Sequence, residues 1–456
     1  MLSNGFFNRN TSRQALLRSW VPLIVLAMPL KLFAGQLISA PSGAMPLGQL
    51  PIADQVGAIS GNPAACHQVL SKSDRFRMSY WGSTGLYAEL GDLKNFEDEV
   101  DALVDILDDT TRVDANEADD VRNRFNALLV ELGESGYMKT NIDVGLPLLP
   151  MAFHHEVLKG NLCLNAGVRA QFKGSVLDDE LTVSVPDNNF TVEFDSNSSL
   201  FLKSAVLKEF GLSYSRKIFH SDHIKFPGEM IFGTRLNFYS MELSRQVILF
   251  ESFDNDDVGD VISDEYDQNQ VTSSSIGLDV GALWRADKYQ LGLTIANINE
   301  PDFDFGDLGI NCNTLTTNAQ QLNCAAAQSF VASGDITQQD THTMESLMIM
   351  DAAYYIKPNW VLGVSYDLAD YTDPAGDDLQ YFNIGTRYYP SSRWIPAWRL
   401  GYRSNQVGQE LSSVQMGTTL FGVFNFDVLY GLDDTEVDDD SIPRNLGVSF
   451  GFQQML

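Results

Sequence analysis

The C-terminal stretch LGVSFGF, residues 446–452, decides the fold. Successive side chains of an extended chain point to opposite faces. Leu446, Val448, Phe450 and Phe452 therefore share one face, and Gly447, Ser449 and Gly451 the other. The alternation recurs upstream. In Gly422–Tyr430, Phe424, Phe426, Val428 and Tyr430 face away from Asn425 and Asp427. Leu362, Val364, Tyr366 and Leu368 oppose Gly363, Ser365 and Asp367; Phe382, Ile384 and Tyr388 oppose Asn383, Gly385 and Arg387. Ile276, Leu278, Val280 and Trp284 oppose Gly277, Asp279 and Gly281. The second face decides between two kinds of β-protein. A soluble sandwich turns long charged side chains to water, whereas here that face carries Gly, Ser and Asn with isolated charges, as a crowded lumen requires. The pattern predicts a transmembrane β-barrel of a Gram-negative-type outer membrane.

Working back from the terminus, strands are expected over 78–90, 139–149, 160–174, 198–217, 230–250, 273–285, 288–299, 345–356, 360–370, 380–389, 395–403, 412–421, 423–431 and 445–456. The expectation is all-β, a fourteen-stranded antiparallel barrel, and an even count suits a single-chain bacterial barrel. With the terminus in the periplasm, the short connections fall on the periplasmic side: Gly422, Pro390–Arg393, Lys357–Asn359 and Ala286–Asp287. The long ones, 91–138, 251–272, 300–344 and 432–444, fall outside.

The first 35 residues read as a cleaved export signal. Arg9, Arg13 and Arg18 precede the apolar run Trp20–Phe33, with a small residue for cleavage at Ala34 or Ala40. A membrane anchor is the alternative, but the run holds two prolines and falls short of the ~20 residues that span a bilayer. Acidic residues outnumber basic ones 60 to 30, a formal charge of −30, which argues against a nucleic-acid partner. The expected partners are outer-membrane lipid and lipopolysaccharide, with the chain as a monomer.

Residues 36–77 precede the barrel (78–456) and are rich in Gly, Pro and Ala. They form either an N-terminal plug in the lumen or a loose periplasmic leader. Export permits disulfides. Cys163 alternates with Leu162 and Leu164, so it faces the lumen near the periplasmic end, where a plug would lie. A Cys66–Cys163 bridge tying plug to wall is expected, a buried free thiol at Cys163 being the alternative. Cys312 and Cys324 share one polar loop within 300–344 and are expected to staple it. Residues 91–136 read as an extracellular helical hairpin. Phe96, Val100, Leu103, Val104 and Leu107 form one stripe, Val121, Phe125, Leu128, Leu129 and Leu132 another, with Asp92 and Asp114/Glu117 as caps. Its stripes are expected to pack on each other or on the barrel mouth.

No catalytic constellation is present. The six histidines (His67, His154, His155, His220, His223 and His342) match no metal-binding helix motif, and there is no serine elbow or phosphate loop. No enzyme activity, cofactor or metal is expected. The stretch Asp254 to Glu265 half resembles a calcium loop, but Val258 occupies a ligand position, so a solvated acidic loop is the reading. Asp433, Asp434, Glu436 and Asp438–Asp440 form a similar cluster. The inward face also carries Arg235, Arg387, Arg399 and Arg403 with Asp279, Asp367 and Asp427. Buried charges need partners, so these pair with one another or with plug backbone, or the arginines hold a ligand's acidic head group.

Several stretches, in order, resemble the TraF-type outer-membrane proteins associated with conjugal transfer, related to the FadL long-chain fatty-acid transporters. They are Asn62-Pro63-Ala64, SLFLKSAVLKEFGLSY (199–214), GLDVGAL (277–283), LGLTIANINEPDF (291–303), GTRYY (385–389) and LGYRSN (400–405). Leu456 departs from the aromatic residue usual at the end of such barrels. The resemblance implies a plugged fourteen-stranded barrel, with Asn62, Pro63 and Ala64 at the plug. It also implies passive uptake of a hydrophobic small-molecule ligand that leaves sideways through a gap in the wall. Pro147 and Pro150 could disturb the second strand, but more simply end it at its turn. The rival expectation is a structural or surface-interaction barrel without transport activity.

Overall fold

The structure, a computed structural model, describes residues 45–48, 50–52, 57–70, 75–79, 81–91, 115–184, 193–221, 227–253, 258–437 and 440–452. The export signal, the first helix of the 91–136 hairpin with Asp92 and Asp114, residues 254–257, Asp438 and Leu456 lie outside them.

Fourteen strands make the wall. They are β1 Trp81–Leu90, β2 Tyr137–Gly145, β3 Gly160–Leu177, β4 Ser199–Ser221, β5 Gly228–Leu249, β6 Val271–Arg285 and β7 Tyr289–Ala296. The others are β8 Leu347–Lys357, β9 Trp360–Asp367, β10 Tyr381–Tyr388, β11 Ala397–Asn405, β12 Ser412–Leu420, β13 Phe424–Gly431 and β14 Asn445–Phe452. Each pairs antiparallel with the next, and β14 returns to β1 from Trp81↔Phe452 to Glu89↔Asn445. The closed fourteen-stranded barrel expected from the alternation is the one observed, and closure gives each of these fourteen strands a partner on both sides.

Outward faces are apolar. Leu446, Val448 and Phe450 are each at least 44% exposed, while Ser449 between them is buried. On β5 the outward positions from Met230 to Phe238 are followed by fully buried strand from Leu243. At ~3.4 Å per residue and ~40° tilt that stretch covers roughly 20 Å, near the height of a bilayer's apolar belt. The barrel is consistent with an outer-membrane protein.

The wall is uneven in height. β4 and β5 stay paired from Ser221↔Gly228 to Ser199↔Leu249, well beyond the belt at the end bearing the long loops. Three helices cover this ridge: α1 Ala115–Ser135, α2 Val258–Asn269 and α3 Asn318–Ser333. Phe125, Leu129 and Leu132 of α1 pack with Val176, Leu181, Phe194 and Phe250. Thus the second hairpin stripe packs on the barrel mouth. α3 buries Ala326, Ala327 and Phe330 against Val247 and Leu249, whereas α2 sets Val261 and Ile262 against Ile248, the opposite face of β5.

Helix α2 corrects the described part, 258–265, of the stretch read as a solvated acidic loop. Val261, Ile262, Glu265 and Tyr266 follow helical i, i+1, i+4, i+5 spacing on one face, and that stripe outweighed the acidic composition. Glu265, read as a calcium-loop position, is buried and accepts from Asn323 Nδ2 (3.0 Å) and Asn269 Nδ2 (3.1 Å). Burial raises its carboxyl above the ordinary range, and the two amides oppose that.

The prolines after β2 also differ from expectation. They interrupt the strand instead of ending it at its turn. β2 pairs with β3 down to Gly145↔Gly167, and Met151–His155 resumes the same ladder from Met151↔Leu164 to His155↔Gly160. Between these, Leu148 takes a left-handed φ of 66°, and Pro147 and Pro150 have no N–H to offer the ladder. The segment Phe76–Met78, below β1, pairs with Met151–Phe153. The turn itself is Glu156–Lys159.

Candidate functional site

Described residues that precede the wall lie against its inward-facing side chains. Residues 57–70 are joined to β3 by a Cys66–Cys163 disulfide with Cα atoms 5.9 Å apart. Asn62 accepts from the Ala64 N–H (2.9 Å), fixing the Asn62-Pro63-Ala64 turn, and its amide donates to the Leu293 carbonyl of β7. Asn161 Nδ2 donates to the carbonyls of Cys66 and His67. Residues 45–52 lie against the other wall: Leu47, Leu50 and Ile52 pack on Ala353 and Val361, and Met45 on Leu429 and Tyr87. Two wall glycines make this approach possible. A Cβ at Gly385 or Gly401 would overlap the Pro46 carbonyl oxygen.

The inward charges fall into distinct environments. Arg235 and Asp279 are cross-strand partners on β5 and β6. Arg235 Nε donates to Asp279 Oδ2 (2.7 Å), and its Nη1 donates to the carbonyls of Ile59 and Ser60. Arg399, Gly417 and Asp427 stand in one row across β11, β12 and β13. With no side chain on Gly417, Arg399 Nε reaches over it to Asp427 Oδ1 (2.9 Å). Arg387 lies over the Tyr389 ring (4.8 Å) and Arg403 over Tyr381 (3.5 Å); Asp367 accepts from the Tyr381 N–H (2.8 Å). Two of the four arginines thus meet carboxylates, one of them also holding preceding-segment backbone, and two meet tyrosine rings.

A cavity of about 270 Å³ remains at the long-loop end, between β1–β3 and β10–β14. Tyr87, Tyr381, Leu411 and Leu429 give it apolar surface; Glu89, Asn141, Asp143 and Arg403 give it polar surface. Tyr87 and Leu429 also pack with Met45, so these two wall residues lie between the cavity and the preceding segment. The lining carboxylates outnumber the cations, and Arg403 is the one sequence-identified arginine that lines it. The connection 368–380 reaches its rim, where Asp373 and Asp377 meet Lys139 and Lys173. Burial pushes the Asp377 carboxyl up, but the two ammonium groups outweigh it and hold it below the ordinary carboxylate range. These four residues were missed in the sequence. Alternation with Asn141 and Asp143 places Lys139 inward, but nothing local marks a loop carboxylate that crosses a lumen.

Elsewhere on the rim, Cys312 and Cys324 are bridged (Cα–Cα 5.4 Å) ahead of and within α3. Among the described residues no three His, Cys, Asp or Glu side chains gather as metal ligands.

A family model described as "F plasmid transfer operon, TraF, protein" matches residues 59–367. The chain belongs to that TraF family. The match runs from the Cys66-bearing segment through β9. No curated protein matches. Among solved structures, a TodX monoaromatic hydrocarbon channel mutant is similar at 11% identity and TM-score 0.44, covering 91% of this chain and 98% of that one. The CymD monoaromatic hydrocarbon channel is similar at 10% identity and TM-score 0.44 (93% and 99% covered). A Pseudomonas aeruginosa FadL homologue is similar at 12% and 0.38 (93% and 99% covered).

Proposed function

We propose that this TraF-family protein is a passive uptake channel of the outer membrane, with its long loops outside and residues 45–70 acting as a plug. Its ligand is a hydrophobic small molecule bearing a polar group. The observation that carries the reading is the position of the cavity. Its lower lining on β1 and β2, Tyr87 and Asp143, lies just above the place where the β2 ladder breaks at Leu146–Pro150. A molecule entering from the loop end thus comes down beside a wall segment whose pairing is interrupted, with Leu146 and Leu148 exposed there. The tyrosines and leucines suit its body, and Arg403 with Asn141 suits its head.

The second reading is a structural or surface-interaction barrel associated with conjugal transfer. It is favoured by the Arg235–Asp279 and Arg399–Asp427 pairs, which fill the lumen around the plug with satisfied charge and not with an apolar tunnel. Uptake of labelled fatty acid by proteoliposomes separates the two. Accumulation above that of empty vesicles, reduced by Arg403→Ala, supports the channel; uptake equal to that of empty vesicles removes it.

A further inference from the structure

The connection 368–380 is a hairpin, with Tyr371↔Leu379 and Thr372↔Asp378 paired. Its tip is closed on itself: the Asp373 N–H donates to the Asp377 carbonyl, and the Asp377 N–H to Asp373 Oδ1 (3.0 Å). This leaves carboxylate oxygens of both aspartates directed outward from the tip. Lys139 Nζ reaches Asp373 Oδ2 (2.5 Å) and Asp377 Oδ2 (2.8 Å), Lys173 Nζ reaches Asp377 Oδ1 (2.5 Å), and Gln171 Nε2 donates to Asp373 Oδ2 (2.7 Å). The hairpin springs from β9 and β10, whereas Lys139 is on β2 and Gln171 and Lys173 are on β3. Those pairs of strands are separated by half the ring in each direction. The hairpin therefore crosses the mouth from one wall to the opposite one. Its root is anchored by apolar contact, Tyr371 packing on Ala296, Leu347 and Ile349.

We propose that this hairpin is a strap that narrows the mouth and is released by parting its ionic tip, which makes Asp373, Asp377, Lys139 and Lys173 the residues that set conductance. Two contacts at the mouth, among the described residues, differ in kind. On one side Phe303, Phe305 and Met344 of the β7–β8 connection pack on Leu207, Tyr239, Met241 and Leu243, a seal that loses apolar burial if opened. The strap tip instead holds two ammonium groups against two carboxylates, with Lys139 and Asp373 almost inaccessible to water. Parting a buried ion pair as a whole returns both charges to water, and the hydration regained offsets most of the attraction lost. Such a contact fixes position firmly yet opens at small net cost. Removing one partner alone does not have that balance, because the other is left buried and uncompensated.

The strap's role as a constriction rests on the channel reading, so the test separates the two. Single-channel conductance of the full-length protein in planar bilayers is measured for the native chain, for Lys139→Met/Lys173→Met, and for a chain with residues 372–378 replaced by a short Gly-Ser turn. Heat-modifiable electrophoretic mobility reports that each barrel has closed. A Lys173→Cys/Asp377→Cys chain supplies an arm independent of transport: a short bis-maleimide, whose length replaces that of the lost lysine side chain, should join the two introduced thiols in the isolated protein. Expected are that cross-link, a severalfold rise in conductance in the two released variants, and a current below the native one in the cross-linked chain. Failure of the cross-link to form overturns the seated strap. Conductance equal in all closed barrels overturns the strap as constriction while leaving a channel. No current from any of them, with the cross-link formed, removes the channel reading and the constriction with it.

Discussion

Asp279 shows how a lumen residue is held. Beyond Arg235, it accepts from Asn237 Nδ2 (2.8 Å) and, through its other oxygen, from the Asn297 N–H (2.8 Å). Asp279→Ala leaves Arg235 buried without its counter-charge, at a cost of about 3–5 kcal/mol. The urea midpoint of the purified barrel should fall accordingly, and an Arg235→Met/Asp279→Leu chain should recover part of the loss. A double variant less stable than the single one would refute this account. The alternation rule found Asp279 and Arg235 from the sequence because both obey period two on adjacent strands. It placed Arg399 and Asp427 on the inward face as well, but gave no sign that their contact, two strands apart, runs over the side-chain-free Gly417. Nor could it tell that Gly385 and Gly401 are places of close approach and not merely small lumen residues. Gly401→Val should therefore unseat Pro46, seen as faster amide exchange over residues 45–52 with the wall unchanged. Unaltered exchange there would contradict the seat.

Whole elements were legible where one periodicity governed them. The strands were, since each meets lipid on one face and the lumen on the other. Where two influences competed, the reading failed: acidic composition hid the stripe of α2, and proline chemistry was taken as a stop and not an interruption. The connections at the mouth carry a pH dependence that no sequence pattern announces. His342 sits in the β7–β8 connection, and burial lowers its imidazole from 6.5 to about 4, against the pull of Asp373 and Asp340. The folded state thus binds fewer protons than the unfolded one between those values. Its contribution is fully present above about 6.5 and declines as pH falls to 4, by roughly 3 kcal/mol in total. Asp377, whose folded pKa is depressed, adds stability above its ordinary value and loses it below that as the pH falls further. Protection factors for hydrogen exchange over 300–346, which remove the intrinsic pH dependence of the amides, should fall between pH 7 and 4, and a His342→Gln chain should lack most of that change. Equal pH profiles in the two chains would exclude His342 as the cause.

On the scale of the molecule, strand count, closure and the sides on which long and short connections lie all follow from a repeating two-residue rule read along the chain. The tie of Cys66 to Cys163 and the packing of the α1 stripe were expected; what was illegible is the strap, the seat of residues 45–52 and the cover that α2 and α3 give the β4–β5 ridge. Each depends on curvature bringing opposite walls together, a property of the closed ring and not of any one strand. The Cys66–Cys163 bridge spans 97 residues, and a closure of that length is worth about 4–5 kcal/mol in the chain-entropy view. A Cys66→Ser/Cys163→Ser chain should show a corresponding drop in urea midpoint and readier proteolysis of residues 57–70, with the Cys312–Cys324 bridge intact. If that segment stayed as protected as in the native chain, the bridge would not be what holds it.

The same bridge bears on the order in which the molecule is made. Both of its cysteines leave the export channel well before Gly385 and Gly401, so the oxidised link can be in place while the later wall strands are still untranslated or unpaired. A link formed before the ring closes would leave the N-terminal segment leashed to β3 while Gly385 and Gly401 complete its seat, with no finished barrel to be threaded.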